Sequence, residues 1–300
     1  MYEISLSVNA CIKSNTRADV AWLLSPIAGF AITDAIAFTP GGGKIGKVLD
    51  GAFDGPLSEM AARKLPVGRV IETDVSAFES TVSGIPAGTH LKFVLMPATL
   101  LEPELWPALL EREAIAIVVH VSGDEVTKTE VFTSATILAA DPQVADIFNK
   151  GVTTVVDLGD RIVTIYCPVT KIVIAGSGPI ADALAAAAQS LGWQTSVDPR
   201  PGMFAGLTAA LSKIDCAVIM GHDVETSSQC LAYALESAAG YIGALGSKKM
   251  QENREDWLAY RDITEISRIH GPAGFNIGAA TPGEIAISIL AEAIATLKGI

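Results

Sequence analysis

Apolar positions follow two different rhythms along this chain. Over 168–300, short unbroken apolar runs alternate with longer stretches whose apolar residues recur at helical spacing. That rhythm belongs to parallel strands buried on both faces and the helices that cover them. Lys171-Ile172-Val173-Ile174-Ala175 is the first run, and an alanine-rich helix pattern over 182–191 follows at once. Trp193-Gln194-Thr195-Ser196-Val197, Cys216-Ala217-Val218-Ile219-Met220 and the short run from Tyr241 read as further strands. Ser247 is placed to cap a helix opening with Lys248-Lys249. Thr281-Pro282-Gly283-Glu284 carries a cap, a harmless first-turn proline and a capping-box acid. The helix after it has apolar residues on much of its circumference and is expected to be buried.

The first half has a different rhythm, with strands outnumbering helices. A helix is expected around 18–24, breaking at Ser25-Pro26, then a strand over 31–38 and a turn at Pro40-Gly41-Gly42-Gly43. The glycine-rich stretch 46–55 reads as a loop. Strands are expected over 68–75 and 114–121, a half-buried alternating strand over 90–95, and a helix over 102–111. A hairpin closes this half, with arms 152–158 and 161–167 around the turn Gly159-Asp160. Pro168 marks the boundary. The fold class is therefore α/β: a C-terminal Rossmann-type parallel-sheet domain over 168–300, behind a β-rich α+β domain over 1–167.

Composition narrows the function classes. The chain has 300 residues, half of them hydrophobic, enough for a substantial core in two domains. A net charge of −12 argues against nucleic acid or an anionic membrane as the main partner. The start, Met1-Tyr2-Glu3-Ile4-Ser5, lacks a basic and apolar signal, and the apolar stretch 21–38 is broken by Pro26, Gly29 and Asp34. Cys11, Cys167, Cys216 and Cys230 show neither metal-ligand nor disulfide spacing, so no metal site is expected. A cytoplasmic protein is expected. Its apolar content predicts a homodimer.

The candidate chemistry centres on Gly176-Ser177-Gly178-Pro179-Ile180-Ala181. Strand, Gly-x-Gly-x-x-Ala and helix in that order make the first half of a dinucleotide-binding unit. Gly176 would allow the tight turn, Gly178 the close approach of a phosphate, and Ala181 close helix–strand packing. Asp198 ends the second strand about 20 residues on, where a ribose hydroxyl would be bound; its carboxylate favours the unphosphorylated ribose of NAD, while Arg200, two residues on, could accommodate the 2′-phosphate of NADP. His222 and Asp223 follow the third strand, either to bind a cofactor or move a proton, or to turn the chain with His222 as a cap. Gly246 and Ser247 repeat the glycine turn before the lysines, which either face an anion or sit on a solvated face. The same glycines would equally shape turns with nothing bound.

Taken in order, these segments resemble the XdhC/CoxI family. The resemblance rests on Ile174-Ala175-Gly176-Ser177-Gly178, Val197-Asp198-Pro199-Arg200-Pro201, Gly221-His222-Asp223, Tyr241-Ile242-Gly243-Ala244-Leu245-Gly246-Ser247-Lys248-Lys249 and the segment from Gly278 to Glu292. It implies a Rossmann-type domain behind a smaller N-terminal domain, in an accessory factor rather than a turnover enzyme. It also implies molybdopterin (the molybdenum cofactor) as ligand. The partners implied are an apo-molybdenum hydroxylase of xanthine dehydrogenase type and a cysteine desulfurase-type sulfur donor. A NAD(P)-dependent oxidoreductase and a ligand-free paralogue remain as alternatives. In the first half, 46–55 and Gly84-Ile85-Pro86-Ala87-Gly88 are similar to two family loops, but Ala52 and Ala87 stand where the family has cysteine. Thiol-dependent handling of molybdenum does not carry over.

Overall fold

The structure, a computed structural model, describes residues 1–27 and 34–300. The chain divides into two compact units, Met1–Pro168 and Val169–Ile300. The first is the longer, where the resemblance implies a smaller one.

The first unit opens with helix α1 (Tyr2–Lys13). Strands β1 (Asp19–Leu23), β2 (Ala35–Phe38) and β3 (Lys44–Lys47) follow, then helix α2 (Asp54–Ala61), β4 (Arg69–Asp74), helix α3 (Ala77–Ser83) and β5 (His90–Pro97). Helix α4 (Leu105–Leu110), β6 (Ile115–Ser122), β7 (Glu125–Thr133), helix α5 (Pro142–Asn149), β8 (Thr154–Asp157) and β9 (Arg161–Tyr166) complete it. Its described strands form one antiparallel sheet, ordered β3-β2-β1-β5-β4-β7-β6-β9-β8. At the β4–β7 junction one residue pair is in register, Arg69 opposite Glu125, flanked by hydrogen bonds from the Val70 N–H to Asp124 O and from the Val126 N–H to Gly68 O.

The expected helix around 18–24 is corrected to strand β1. That strand lies between β2 and β5 and all five of its residues are buried. A central strand buried on both faces has no alternation, so its apolar run looks the same as a short buried helix. The expected strand over 31–38 appears as β2; positions 31–33 lie outside the described residues. The loop expected over 46–55 contributes to three elements: the end of β3, a single helical turn at Leu49–Gly51 and the start of α2. Strand β5 alternates only from His90 to Phe93, and beyond that both faces are buried. The hairpin β8–β9 forms as expected, its turn closed by the Leu158 N–H donating to the Arg161 carbonyl at 2.9 Å, with Gly159 at φ +94°.

The second unit is a three-layer α/β structure. Its elements are β10 (Lys171–Ala175), helix α6 (Pro179–Ser190), β11 (Gln194–Val197), helix α7 (Pro201–Thr208), β12 (Cys216–Ile219) and helix α8 (Val224–Glu236). Then come β13 (Tyr241–Ala244), helix α9 (Lys248–Ala259), β14 (Ile269–His270) and helix α10 (Pro282–Lys298). All strand pairs are parallel, in the order β11-β10-β12-β13-β14. Alternate strand residues feed opposite layers, as the pleat requires. Ile172, Ile174, Cys216 and Val218 pack with α6 and α10, while Val173, Ala217 and Ile219 pack with Phe204, Leu231 and Leu258. Helix α10 is buried along one face only, and Ile287 stays 55% exposed. Among the described residues, no helix is long and apolar enough to cross a membrane.

Candidate functional site: a cleft at the strand ends

The strand order reverses direction between β10 and β12, and open parallel sheets leave a crevice at such a switch point. Three hydrogen bonds carry the ladder past the strand ends and align them: Met220 N–H to Ala175, Leu245 N–H to Ile219, and Ala273 N–H to Ala244. A cleft of about 270 Å³ opens there, lined among others by Ser177, Ile180, Gly221, His222, Gly246 and Met250.

The glycines of the first turn have separate duties. A Cβ on Gly176 would sit 2.8 Å from the Met220 Cβ, so Gly176 lets the ends of β10 and β12 close together. Gly178 would meet nothing within 4 Å, but it holds φ +89° and ψ −174°, a conformation reserved for glycine. It precedes α6, where Pro179 sits in the first turn and the first N–H groups lack acceptors within the helix. Asp182, in that same turn, already meets part of the helix's positive end. Ala181 is fully buried against the sheet.

The other predicted residues scatter around this point. His222 is exposed and lines the cleft. It is not the cap of α8: Asp223 is, accepting from the Thr226 N–H at 2.7 Å. Thr226, through its side chain and its N–H, holds Asp223 below the usual carboxylate range. Ser247 caps α9, accepting from the Met250 N–H at 3.3 Å. Lys249 pairs with Glu252 at 3.3 Å and Lys248 is exposed. Asp198 ends β11, and Arg200 takes both its oxygens, from Nε at 2.9 Å and Nη2 at 2.5 Å. The Arg200 side chain and N–H hold the Asp198 carboxyl at about 2. That carboxylate is already engaged.

Residues 172–293 match the model of the XdhC Rossmann domain. The C-terminal unit belongs to that family. Within this XdhC Rossmann domain, Gly176, Gly178 and Gly246 fall in the turns that border the cleft. The chain is 30% identical over 142 residues to "Uncharacterized protein YqeB" of Escherichia coli (strain K12), covering 41% of this chain. It spans about a quarter of that relative's length, 26%. A crystal structure described as a xanthine dehydrogenase from Bacillus halodurans is 20% identical. The match covers 100% of this chain and 96% of that one, at a TM-score of 0.45.

One residue behind the cleft of the XdhC domain escapes sequence reasoning. Arg254 lies in α9 and is 1% exposed. It donates to the carbonyls of Gly221 and Leu245, at 2.7 and 2.6 Å, and so ties together the chain after β12 and β13. In the sequence it is one more charge in the polar stretch Gln251-Glu252-Asn253-Arg254-Glu255-Asp256, and nothing there separates it from a solvated helix face. Among the described residues, no group of three or more His, Cys, Asp or Glu is placed to hold a metal ion.

Proposed function

We propose that the chain is an accessory factor for a molybdenum hydroxylase of xanthine dehydrogenase type, and that its C-terminal unit holds the phosphate end of a cofactor in the strand-end cleft. The observation that carries this reading is the XdhC Rossmann match falling on a switch-point cleft lined by Ser177, His222 and Gly246. The phosphate part of molybdopterin fits the residues present. Free N–H groups at the start of α6 would receive it, and Gly178 leaves the approach open. The bound cofactor supplies the redox-active molybdenum; this chain's residues bind and orient its phosphate and pterin. Cys216 and Cys230 are buried, their thiols pushed up by burial, so neither offers the metal a thiolate. The hydroxylase receiving the cofactor and a cysteine desulfurase supplying sulfur would be the partners.

The dinucleotide alternative would bring a ribose hydroxyl to Asp198, whose two oxygens each already accept from Arg200, so the hydroxyl would have to share or displace that pair. Calorimetry of the purified chain with molybdopterin, NAD and NADP tests the ligand. An activation assay with an apo-hydroxylase tests the role. Molybdopterin binding with a gain of hydroxylase activity is the expected result; binding of nothing, with no gain, would leave a ligand-free docking protein. The reading includes a homodimer, for which light scattering would give twice 31.2 kDa.

A further inference from the structure

The cleft has a wall built around one buried charge. Arg254 makes four hydrogen bonds, all to neutral oxygens. Nε donates to Ser227 Oγ at 2.9 Å, Nη1 to Leu245 O at 2.6 Å and Gln251 Oε1 at 3.2 Å, and Nη2 to Gly221 O at 2.7 Å. A guanidinium has five N–H donors and keeps its proton in proteins. Burial lowers its pKa. Among the described residues, none of its bonds reaches a carboxylate. A buried cation without a counter-charge is costly to desolvate, so something should offset that cost.

Bridging carbonyls does not require a charge. In the same helix turn, the neutral Gln251 side chain donates to Ala244 O and Gly246 O, at 3.0 and 3.3 Å. The cation also stands close to the cleft. Two of its acceptors belong to Gly221 and Leu245, which line it. Gly246, which also lines it, has no side chain in between: a Cβ there would come within 3.5 Å of Arg254 Nη1. A positive charge shielded from water, behind a thin backbone wall, acts strongly on an anion in front of that wall.

We infer that Arg254 is a positioning residue that makes the cleft selective for charge: its buried cation is balanced by a phosphate group of the ligand, while its bonds to Gly221 and Leu245 hold the cleft's walls. This rests on the phosphate reading above. It assigns the ligand class as phosphate monoesters and diphosphates, in preference to neutral molecules of the same shape.

The test compares ADP with neutral adenosine, by calorimetry, in the full chain and in Arg254→Met and Arg254→Lys. Inorganic phosphate and pyrophosphate are added as probes to separate a monoester site from a diphosphate site. The unmodified chain is expected to prefer ADP. In Arg254→Met the ratio of ADP to adenosine affinity should fall about tenfold, the scale of one charge-assisted contact; the lost wall bonds act on both ligands and cancel in that ratio. Arg254→Lys should retain most of the preference although it loses the forked bonds. An ADP-to-adenosine ratio unchanged in a folded Arg254→Met would overturn the inference and leave the phosphate reading standing. If the unmodified chain binds none of the anionic probes, both fall together. Should Arg254→Met fail to fold, the unmodified chain still decides by nuclear magnetic resonance. The slowly exchanging Arg254 Nε–H signal must shift as pyrophosphate binds, and a signal that stays fixed while calorimetry records binding rejects the inference.

Discussion

Gly176 and Gly178 are two residues apart in one motif, and they carry different loads. Gly176→Val would drive its Cβ into Met220 at a junction of two central strands. A loss of about 1–3 kcal/mol in denaturant unfolding is expected from such overpacking. Gly178→Ala meets no atom, and its cost of about 1–3 kcal/mol is backbone strain alone. Relaxing that strain shifts the start of α6, so phosphate binding should weaken as well, whereas full binding by Gly178→Ala would show that this turn is not the site. At Asp198, Arg200→Ala should release the carboxyl from about 2 towards the ordinary value near 3.9. The sign is that of a depressed acid. The pair stabilises the fold above the unfolded pKa, and the contribution disappears as pH falls through the folded value. Carbon-detected titration of the Asp198 carboxyl reads this directly, and a midpoint unmoved in Arg200→Ala would contradict the pairing.

At the scale of elements, helix starts are the best-specified features. Thr281 accepts from the Glu284 N–H, and the Glu284 carboxylate accepts from the N–H groups of Thr281 and Ala280, at 2.8 and 2.9 Å. Those two N–H groups hold Glu284 below the usual carboxylate range, backbone contacts leading. Thr281→Ala should cost about 1 kcal/mol in chemical denaturation. An unchanged midpoint would mean that α10 is held by its packing against α6 alone. Ser76 and Glu79 build the same box on α3, and Asp141 with Pro142 starts α5. These signals were present in the sequence as plainly as the one at Thr281, and so was the Gly123-Asp124 turn between β6 and β7. Strand β1 was not readable in this way. Its residues are apolar on both faces, so only its neighbours distinguish it from a helix.

At the scale of the molecule, the resemblance to cysteine-bearing loops meets two alanines in different surroundings. Ala52 is buried behind the turn at Leu49–Gly51, while Ala87 is exposed after α3, the helix that packs near that turn. A chain handling molybdenum without those thiols should lose the metal on gel filtration, and Ala52→Cys or Ala87→Cys should raise the retained molybdenum measured by elemental analysis. Stoichiometric retention by the unmodified chain, unimproved by either change, would show that thiols are not what grips the cofactor.

The linear order of residues was enough to determine strands β10 to β13, helices α6, α9 and α10, the caps at Ser247 and Thr281 and the glycine turns, but not helix α7 or the two-residue strand β14, whose His270 read as part of a loop. Each feature it determined depends on a few neighbours in the chain: the apolar run, the cap three residues before the acid, the glycine that alone tolerates a positive φ. Only the tertiary structure decided which strand lies beside which, and with that the position of the cleft between the ends of β10 and β12. It also decided that Arg254 leaves solvent to hold two strand ends, through bonds to Ser227 and Gly221 far away in the chain. The pairs Asp198–Arg200 and Asp223–Thr226 are local contacts, two and three residues apart, but the choice of Asp223 over His222 as the cap of α8 needed the tertiary structure. Burial depends on what packs over a side chain, which is not a local quantity, so a polar helix segment can conceal the buried charge behind the cleft.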